Sequence, residues 1–263
     1  MLQSCSPKNA KLVSIVDRFW CVSDKTADGY ETVLPSGKAQ IIFSLSDIPL
    51  TTFDPDNGVK ETHAREIFQG PTSQPRRISR KPQKSLCGVS FCPGGAGALL
   101  AHIDKTADRV INLSHFWGVQ AAQIGEALRT FNSDRARFDL LEDEIAKRIS
   151  DTSEIVFLRQ GLEHLRVGLS LDQACEVLGC TPYTFRKVFL KNVGFTPKRY
   201  LRIERFRAAA ENLTLAASLA DIAAFACFSD QSHMTREIDH FAKMTPSRLR
   251  SSDRPHLGHV LED

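Results

Sequence analysis

Three polar side chains in the C-terminal half of this 263-residue chain have the spacing of one helix face. Arg186 and Lys187 lie three and four residues after Tyr183, in a segment that opens with Thr181-Pro182. Side chains at these spacings are neighbours on a helix surface. Two adjacent cationic groups on such a surface can reach guanine edges or phosphates in the major groove of DNA. The alternative is a solvated helix face, because most surface Arg and Lys side chains bind nothing specific.

The segment that carries these side chains has the pattern of a helix-turn-helix unit. Ser170 and Gln173 give a capping-box signal before a short apolar helix, which is predicted over 171–178. Gly179 suits the left-handed position that follows such a helix, and Thr181-Pro182 is typical of the start of the next helix. The unit would bury its apolar residues and hold the cationic face outward.

A more degenerate copy of the same pattern begins at Ser218. It has the cap signal Ser218-x-x-Asp221, a short apolar helix, a turn and a second helix whose polar face carries Arg236. Two copies in one chain predict a protein that lays two helices into DNA grooves. The pair therefore favours the DNA-binding interpretation over the solvated face.

Residues 155–250 resemble the DNA-binding domain of the AraC/XylS family of bacterial transcription regulators. In chain order, the matching residues are Leu171, Gly179-Cys180-Thr181, Phe189, Gly194-Phe195-Thr196-Pro197, Tyr200-Leu201, Arg205, Ala209, Leu213, Ile222-Ala223, Phe228-Ser229-Asp230-Gln231-Ser232 and Thr245-Pro246-Ser247. This ordered set is far more specific than a single helix-turn-helix pattern. The resemblance implies a long helix over 200–213 that holds two recognition helices on one face of DNA, one turn of duplex apart.

The resemblance also implies which side chains face the grooves. They are Tyr183, Arg186 and Lys187 in the first unit, and Gln231, Ser232, Thr235 and Arg236 in the second. Gln can pair with adenine and Arg with guanine. Lys187 stands where the family usually has Arg, which keeps the charge without the bidentate fork.

The second unit departs from the family pattern at four positions. Cys227 replaces a turn Gly, Ile238 a Phe, Asp239 a Lys, and Lys243 a late Gly. A non-Gly residue in the left-handed conformation costs about 1 kcal/mol, and an acid near the groove would repel phosphate. We therefore expect the first unit to provide most of the DNA affinity.

The N-terminal half is predicted to be strand-rich. Strands are expected within 13–22, near 32–34, and over 40–45, 66–69 and 86–91, each ended by turn residues. Short strands broken by turns predict a small barrel or sandwich.

This half also resembles an uncharacterised β-rich domain found upstream of such DNA-binding domains. The matching residues are Phe19-Trp20, Val33-Leu34-Pro35-Ser36-Gly37, Ile41-Ile42-Phe43, Phe68-Gln69-Gly70-Pro71, Gly88-Val89-Ser90-Phe91-Cys92-Pro93-Gly94-Gly95, Leu113 and Trp117-Gly118. In the wider family, this position holds a cupin-like domain that binds an effector or dimerises.

No cofactor or metal site is predicted in this half. His63, His102 and His115 lack metal-ligand spacing, and Pro93-Gly94-Gly95 lacks the Lys-Ser/Thr that follows a phosphate loop. The basic run over 76–84 is interpreted as a solvated loop rather than an anion or DNA contact.

After Trp117 the apolar period becomes that of helices, which are predicted over 119–131, 138–149 and 155–165. The predicted fold class is α+β. Its parts are a β-rich cupin-like barrel or sandwich over 1–117, a helical linker over 118–150, an all-α domain with two helix-turn-helix units over 151–252, and a loose tail over 253–263.

Composition and charge agree with a two-domain globular chain. It has 42% hydrophobic and 25% charged residues, and its net charge of +3 is too small to indicate a polyanion partner. The basic residues instead cluster over 181–207, where Glu204 is the acid. The seven cysteines match no zinc pattern and are expected to be buried free thiols in a reducing cytosol. With neither a signal peptide nor a membrane span predicted, the expected location is the cytoplasm.

The sequence thus predicts a sequence-specific transcription regulator without a catalytic site. Double-stranded DNA is the predicted partner; RNA polymerase, a small-molecule effector and a second copy of the chain are further candidates. The alternative is an enzyme fused to such a module, such as a DNA-repair alkyl acceptor. That class needs a four-cysteine zinc domain and a Pro-Cys-His-Arg acceptor, whereas Cys92 is followed by Pro93-Gly94. A cupin-like metal enzyme would need His-x-His spacing, which the chain lacks.

Overall fold

The computed structural model describes residues 2–24, 28–54, 57–213, 217–256 and 258–262. Its α-helices are α1 (Ser114–Trp117), α2 (Val119–Thr130), α3 (Asp134–Ala146), α4 (Ser153–Arg166), α5 (Leu171–Val177), α6 (Pro182–Val193), α7 (Pro197–Asn212), α8 (Leu219–Phe225), α9 (Gln231–Ala242) and α10 (Pro246–Ser251). The strands are β1 (Leu2–Cys5), β2 (Val16–Ser23), β3 (Tyr30–Val33), β4 (Gln40–Ser44), β5 (Thr51–Phe53), β6 (Lys60–Thr62), β7 (Glu66–Gln69), β8 (Arg76–Ser79), β9 (Ser85–Phe91), β10 (Val110–Asn112) and β11 (His259–Leu261). The α+β class is confirmed: β1 to β10 precede the α-helices, and β11 follows them.

The strands form two antiparallel sheets rather than one closed barrel. The first sheet has the order β1-β2-β9-β4-β7-β10, and the second has the order β11-β3-β8-β5-β6. The strands predicted over 40–45, 66–69 and 86–91 correspond to β4, β7 and β9. Of the two predicted forms, the two-sheet arrangement is the one observed.

The first sheet is built around closely packed central strands. Ile41, Phe43 and Phe91 are fully buried. A side chain at Gly88 would lie 2.5 Å from the Ile41 carbonyl oxygen and 2.6 Å from the Trp20 ring. Only glycine lets the strands approach this closely, so this position fixes how β2, β4 and β9 pack.

The basic run over 76–84 is not a solvated loop throughout, and that interpretation is wrong for β8. Arg76 opens this strand and is buried. Its guanidinium group donates a hydrogen bond to the Asp108 carbonyl oxygen and lies 3.9 Å from the Glu61 carboxylate. Because these partners satisfy the charge, the strand can bury an arginine.

Helices α2 and α3 pack against the first sheet. Ser133 is the N-cap residue of α3. Phe138, Leu141 and Ile145 are buried on one face of this helix, which contacts β2 and β9. The predicted helical linker therefore contributes to the core of the N-terminal half.

The tail folds back onto the N-terminal half, whereas the sequence predicts a loose segment. β11 pairs antiparallel with β3, with His259 opposite Val33. Val260 is buried, and Arg77 Nε lies 2.6 Å from a Glu262 carboxylate oxygen. The open edge of β3 and one buried apolar side chain give this short segment an ordered position.

The two halves also meet along α6 and α7. A side chain at Gly97 would lie 2.2 Å from Asn192 Oδ1, so the N-terminal half touches the end of α6 closely. Arg199, near the start of α7, donates a hydrogen bond of 2.5 Å to Ser73 Oγ. Buried apolar residues form one cluster from Leu12 to Val260 that includes both halves.

Candidate nucleic-acid interface

The first helix-turn-helix unit has the caps that its sequence predicts. Ser170 Oγ accepts a hydrogen bond from the Gln173 backbone N–H at 3.2 Å, and Gln173 Oε1 accepts one from the Ser170 N–H at 2.8 Å. Gly179 has a φ of 63°. Thr181 Oγ1 caps α6 by accepting from the Thr184 N–H at 3.1 Å. These local bonds fix the angle at which α6 leaves the turn.

Helix α6 has one buried and one exposed face. Phe185 and Phe189 are buried, and the Phe185 ring meets the Phe157 ring of α4 edge-on at 5.8 Å. Aromatic pairs at this distance add to the stability of a core. A side chain at Gly161 of α4 would lie 2.2 Å from Phe185, so α4 sits directly on α6. This packing fixes the rotation of α6 about its axis.

The exposed face of α6 carries the three predicted side chains together. Tyr183 is 73% exposed, and Arg186 and Lys187 are exposed beside it. Within the described ranges, neither cation forms an ion pair. The structure thus leaves their charges available to a partner.

Most other basic residues over 181–207 are used inside the protein. Lys191 pairs with Glu154 at 2.8 Å, and Arg207 pairs with Glu211 at 3.1 Å. Arg199 and Arg202 are bonded to Ser73 and Glu237, and Arg205 lies over the Phe228 ring at 5.7 Å. The basic cluster in the sequence therefore reduces to a small free patch on α6 and at the start of α7.

One member of that patch was not identified from the sequence. Lys198 is exposed at the second position of α7 and forms no ion pair with any described residue. The Thr196-Pro197 start signal could have placed it beside a helix N-terminus, where phosphates bind readily. It is an additional candidate for a phosphate contact.

The second unit repeats this architecture, with a single hydrogen bond in place of the capping box at its first helix. Ser218 Oγ accepts from the Asp221 N–H at 3.1 Å, but the Asp221 carboxylate accepts the Ser218 hydroxyl at 2.6 Å. Asp230 caps α9 by accepting from the His233 N–H at 2.7 Å. Met234 and Ile238 bury the inner face of α9. At the start of each of these helices, the cap is thus a hydrogen bond from one backbone N–H to the N-cap side chain.

The outer face of α9 brings the four predicted side chains of this unit to one surface. Gln231, Ser232 and Arg236 are exposed. Thr235 is half-buried, and its hydroxyl donates to the Gln231 carbonyl oxygen at 2.9 Å. Asp239 is exposed one turn after Thr235. The face therefore carries one cation and one anion, whereas the α6 face carries two cations.

Two residues of the second unit adopt the left-handed conformation that the family pattern assigns to glycine. Cys227 has a φ of 57° and Lys243 a φ of 55°. Cys227 is exposed, which corrects the expectation of a buried thiol. Residues 226–229 separate the first helix of this unit from the cap Asp230, whereas 178–180 separate the corresponding elements of the first unit. The longer turn gives the second unit a different local geometry.

Helix α7 is the long helix implied between the units, and it holds both. The Tyr200 ring meets the Phe189 ring of α6 at 5.8 Å. Farther along, Arg202 donates two hydrogen bonds to the Glu237 carboxylate of α9, at 2.9 and 2.8 Å. The hydrogen bonding from Arg202 lowers the pKa of Glu237. Helices α6 and α9 are thereby both attached to α7.

Among the described residues, no group of three or more His, Cys, Asp and Glu side chains could hold a metal ion. Within the same ranges, no helix has the length and apolar character needed to cross a membrane.

Comparisons with known proteins agree with this architecture. A family model described as a helix-turn-helix domain matches residues 174–252, and a model of a domain of unknown function, DUF6597, matches residues 3–112. No curated protein sequence matches the chain.

Solved structures of ToxT from Vibrio cholerae match this chain over most of its length. ToxT from strain O395 is 12% identical with a TM-score of 0.47, and the match covers 95% of this chain and 96% of that one. Unsaturated fatty acid bound ToxT from strain SCE256 has the same identity and TM-score, with 90% and 94% covered. The chain therefore combines an N-terminal DUF6597 domain with a C-terminal helix-turn-helix domain of the AraC type, the combination of a DNA-binding transcription regulator.

Proposed function

We propose that this regulator reads double-stranded DNA by inserting α6 and α9 into successive segments of the major groove, with α6 providing most of the affinity. The observation that carries the proposal is the exposed, unpaired state of Arg186 and Lys187 on α6, beside basic residues that are bonded internally. A helix face whose only role is to be solvated would not need two unpaired cations beside basic residues that are paired. In this proposal residues 151–252 are the DNA-binding domain.

The roles of the α6 side chains follow from their chemistry. The Arg186 guanidinium group can donate two parallel hydrogen bonds to the N7 and O6 acceptors of guanine. The Lys187 ammonium group acts as a point charge toward phosphate or a base edge. Tyr183 stands at the start of the helix, where its hydroxyl can bond to the backbone of the duplex. Together, these three side chains read the base sequence and fix the position of α6 on the duplex.

The α9 side chains add a second, weaker contact. Gln231 can pair with adenine and Arg236 with guanine, while Ser232 and Thr235 provide hydroxyl groups. Asp239 lies on the same outer face and would repel phosphate. Helix α7 sets the distance between the two contacts.

The partners of this activity are proposed with it. The protein acts in the cytoplasm as a homodimer that binds DNA without enzymatic activity and communicates with RNA polymerase. The N-terminal half, residues 1–117, mediates association or responds to a small-molecule effector. The packing of this half on α6 and α7 supports such communication, since a change there would reach the recognition helix directly.

Genome-wide mapping of bound sites followed by footprinting on one recovered duplex tests the proposal. Arg186→Ala should cost about 1–3 kcal/mol of binding free energy and relax the preference at one base pair. Arg135→Ala is the matched control, because it removes the same charge from α3, away from α6 and α9. Binding should then change by much less. Protection without dependence on Arg186, or no bound site at all, would contradict the proposal.

A further inference from the structure

Two cysteines form the closing contact of the turn in the first helix-turn-helix unit. The Cys180 N–H donates to the Cys175 carbonyl oxygen at 3.0 Å, and the Gly179 N–H donates to the Glu176 carbonyl oxygen at 3.1 Å. These two bonds define a Schellman motif, in which the side chains at the Cys175 and Cys180 positions commonly meet. Here both side chains are thiols, and Cys180 packs against the buried cluster that contains Cys175.

The two thiols differ in their access to solvent. Cys175 is 1% exposed, and its burial raises the pKa of its thiol to about 11. Cys180 is half-buried, at the rim of the turn. A soluble oxidant therefore meets Cys180 first and has Cys175 directly behind it.

Neither the other close thiol pair nor the corresponding turn of the second unit has the same arrangement. Cys21 and Cys87 lie 3.0 Å apart on neighbouring strands, but both are buried in the first sheet. Cys227 is exposed, yet the contact pair of the second unit is Ala223 and Phe228, where the Phe228 N–H donates to the Ala223 carbonyl oxygen at 2.9 Å. The dithiol is a feature of the first unit.

We infer that Cys175 and Cys180 are a peroxide-reactive dithiol whose closure to a disulfide weakens DNA binding by the first unit. The Cys180 sulfur, as thiolate, attacks one peroxide oxygen; an S–O bond forms, the O–O bond breaks, and one water leaves with the thiol proton. The Cys175 sulfur then attacks the sulfenic sulfur, the S–S bond forms, and the S–O bond breaks. The hydroxyl group takes the Cys175 proton and leaves as a second water. The two thiols lose two electrons, and the peroxide is reduced to two waters.

The bond would act on α6 because of where Cys180 lies. The S–S distance falls to about 2.05 Å, which draws Cys180 toward α5. Thr181, the next residue, caps α6, so the start of the helix moves with it. Arg186 and Lys187 follow on the first turns of that helix. The expected result is a displaced cationic face.

The effect of the disulfide on DNA binding rests on the proposed function. By thermodynamic linkage, bound DNA must affect formation of the disulfide by the same factor. If the disulfide weakens DNA binding by about tenfold, bound DNA disfavours the disulfide by the same factor. For this two-electron couple, a tenfold factor corresponds to about 30 mV. DNA-bound protein should therefore oxidise less readily than free protein.

The chain provides a clean chemical readout. Cleavage after Arg166 and Arg186 releases the peptide 167–186, which contains Cys175 and Cys180 and no other cysteine. After treatment of the full-length protein with hydrogen peroxide, we expect this peptide to lose the mass of two hydrogens and to regain it with dithiothreitol. Cys180→Ser should abolish the loss. Cys227→Ser, the matched control in the second unit, should leave it unchanged.

The binding arm uses the duplex that reduced protein selects from a randomised library. Peroxide should weaken binding of the parent by about tenfold or more, with recovery on reduction, while Cys180→Ser and Cys175→Ala should keep their affinity in peroxide. Absence of the internal disulfide in the peptide would overturn the inference, whatever the DNA result. A disulfide with unchanged affinity would overturn its regulatory part. If reduced protein selects no duplex, the proposed function fails and the peptide still decides whether the dithiol closes.

Discussion

The two helix-turn-helix units have the same order of caps and helices, but they present different side chains on their outer faces. Counted from their caps, Thr181 and Asp230, the positions of Arg186 and Lys187 in α6 correspond to Thr235 and Arg236 in α9. The first unit thus presents two cations where the second presents one cation and a hydroxyl. This difference is the basis of our proposal that α6 provides most of the DNA affinity.

The units also differ in how their backbones are held. Gly179 and Gly194 occupy the left-handed positions of the first unit, and Cys227 and Lys243 occupy them in the second. The second unit has an ion pair between α7 and α9, whereas Val188 stands at the α6 position that matches Glu237. In the first unit, α6 meets α7 through the Phe189 and Tyr200 rings instead.

The largest expected difference between the units is in DNA affinity. Arg186→Ala should cost about 1–3 kcal/mol, and Arg236→Ala should cost less, because Asp239 opposes phosphate binding on the same face. Fluorescence anisotropy with one selected duplex, at a fixed salt concentration, measures both variants. Equal losses would contradict the unequal roles of α6 and α9.

The next effect concerns the stability of the second unit. Glu237→Gln should lower the free energy of unfolding by about 1–2 kcal/mol, because the pair with Arg202 is only partly exposed. Glu163→Gln is the control, since its pair with Arg166 lies within α4 and Glu163 is 62% exposed, so the pair should contribute about 0.3–0.5 kcal/mol. Urea unfolding monitored by circular dichroism gives both values.

The same pair gives a pH dependence of known sign. Arg202 lowers the pKa of Glu237 in the folded protein, so its stabilisation is complete above the ordinary glutamate value of about 4.3. The stabilisation is lost as the pH falls below that value and Glu237 becomes protonated. Parent and Glu237→Gln should therefore converge in stability in acid. A gap that stays constant would show that Glu237 does not act through its charge.

The smallest effect concerns the turns. Cys227→Gly should stabilise the protein by about 1 kcal/mol by relieving the left-handed conformation, and Gly179→Ala should destabilise it by a similar amount. A side chain at Gly179 would have no neighbour within 4 Å, so that substitution tests the backbone alone. Thermal unfolding of the two variants should shift in opposite directions. Shifts of the same sign would refute the strain assigned to Cys227.

Local signals explain why the first unit could be predicted from the sequence. Its caps bond to residues three positions away, as with Ser170 and Gln173, so the pattern contains both partners. The free state of Arg186 could not be predicted in this way. It depends on Glu154 and Glu237 being paired with Lys191 and Arg202, and the partners of each pair are distant in sequence.

The N-terminal half was predicted less completely for the same reason. β8 contains a buried Arg76 because the Asp108 carbonyl oxygen accepts its hydrogen bond and the Glu61 carboxylate lies near its charge. Neither partner is adjacent to Arg76 in the sequence. The short strands β5, β6 and β10 lack a pattern long enough to identify. β11 depends on a partner strand more than two hundred residues earlier, to which the sequence gives no signal.

The pairing of β11 with β3 affects how this protein can be dissected. A fragment cut between α3 and α4 would lose the strand that covers the edge of β3, and an open edge promotes aggregation. Hybrid regulators that join this β-rich half to a foreign DNA-binding domain should therefore carry residues 258–262 as a grafted segment. A fragment that contains only the helix-turn-helix units would instead leave Val260 without the surface that buries it.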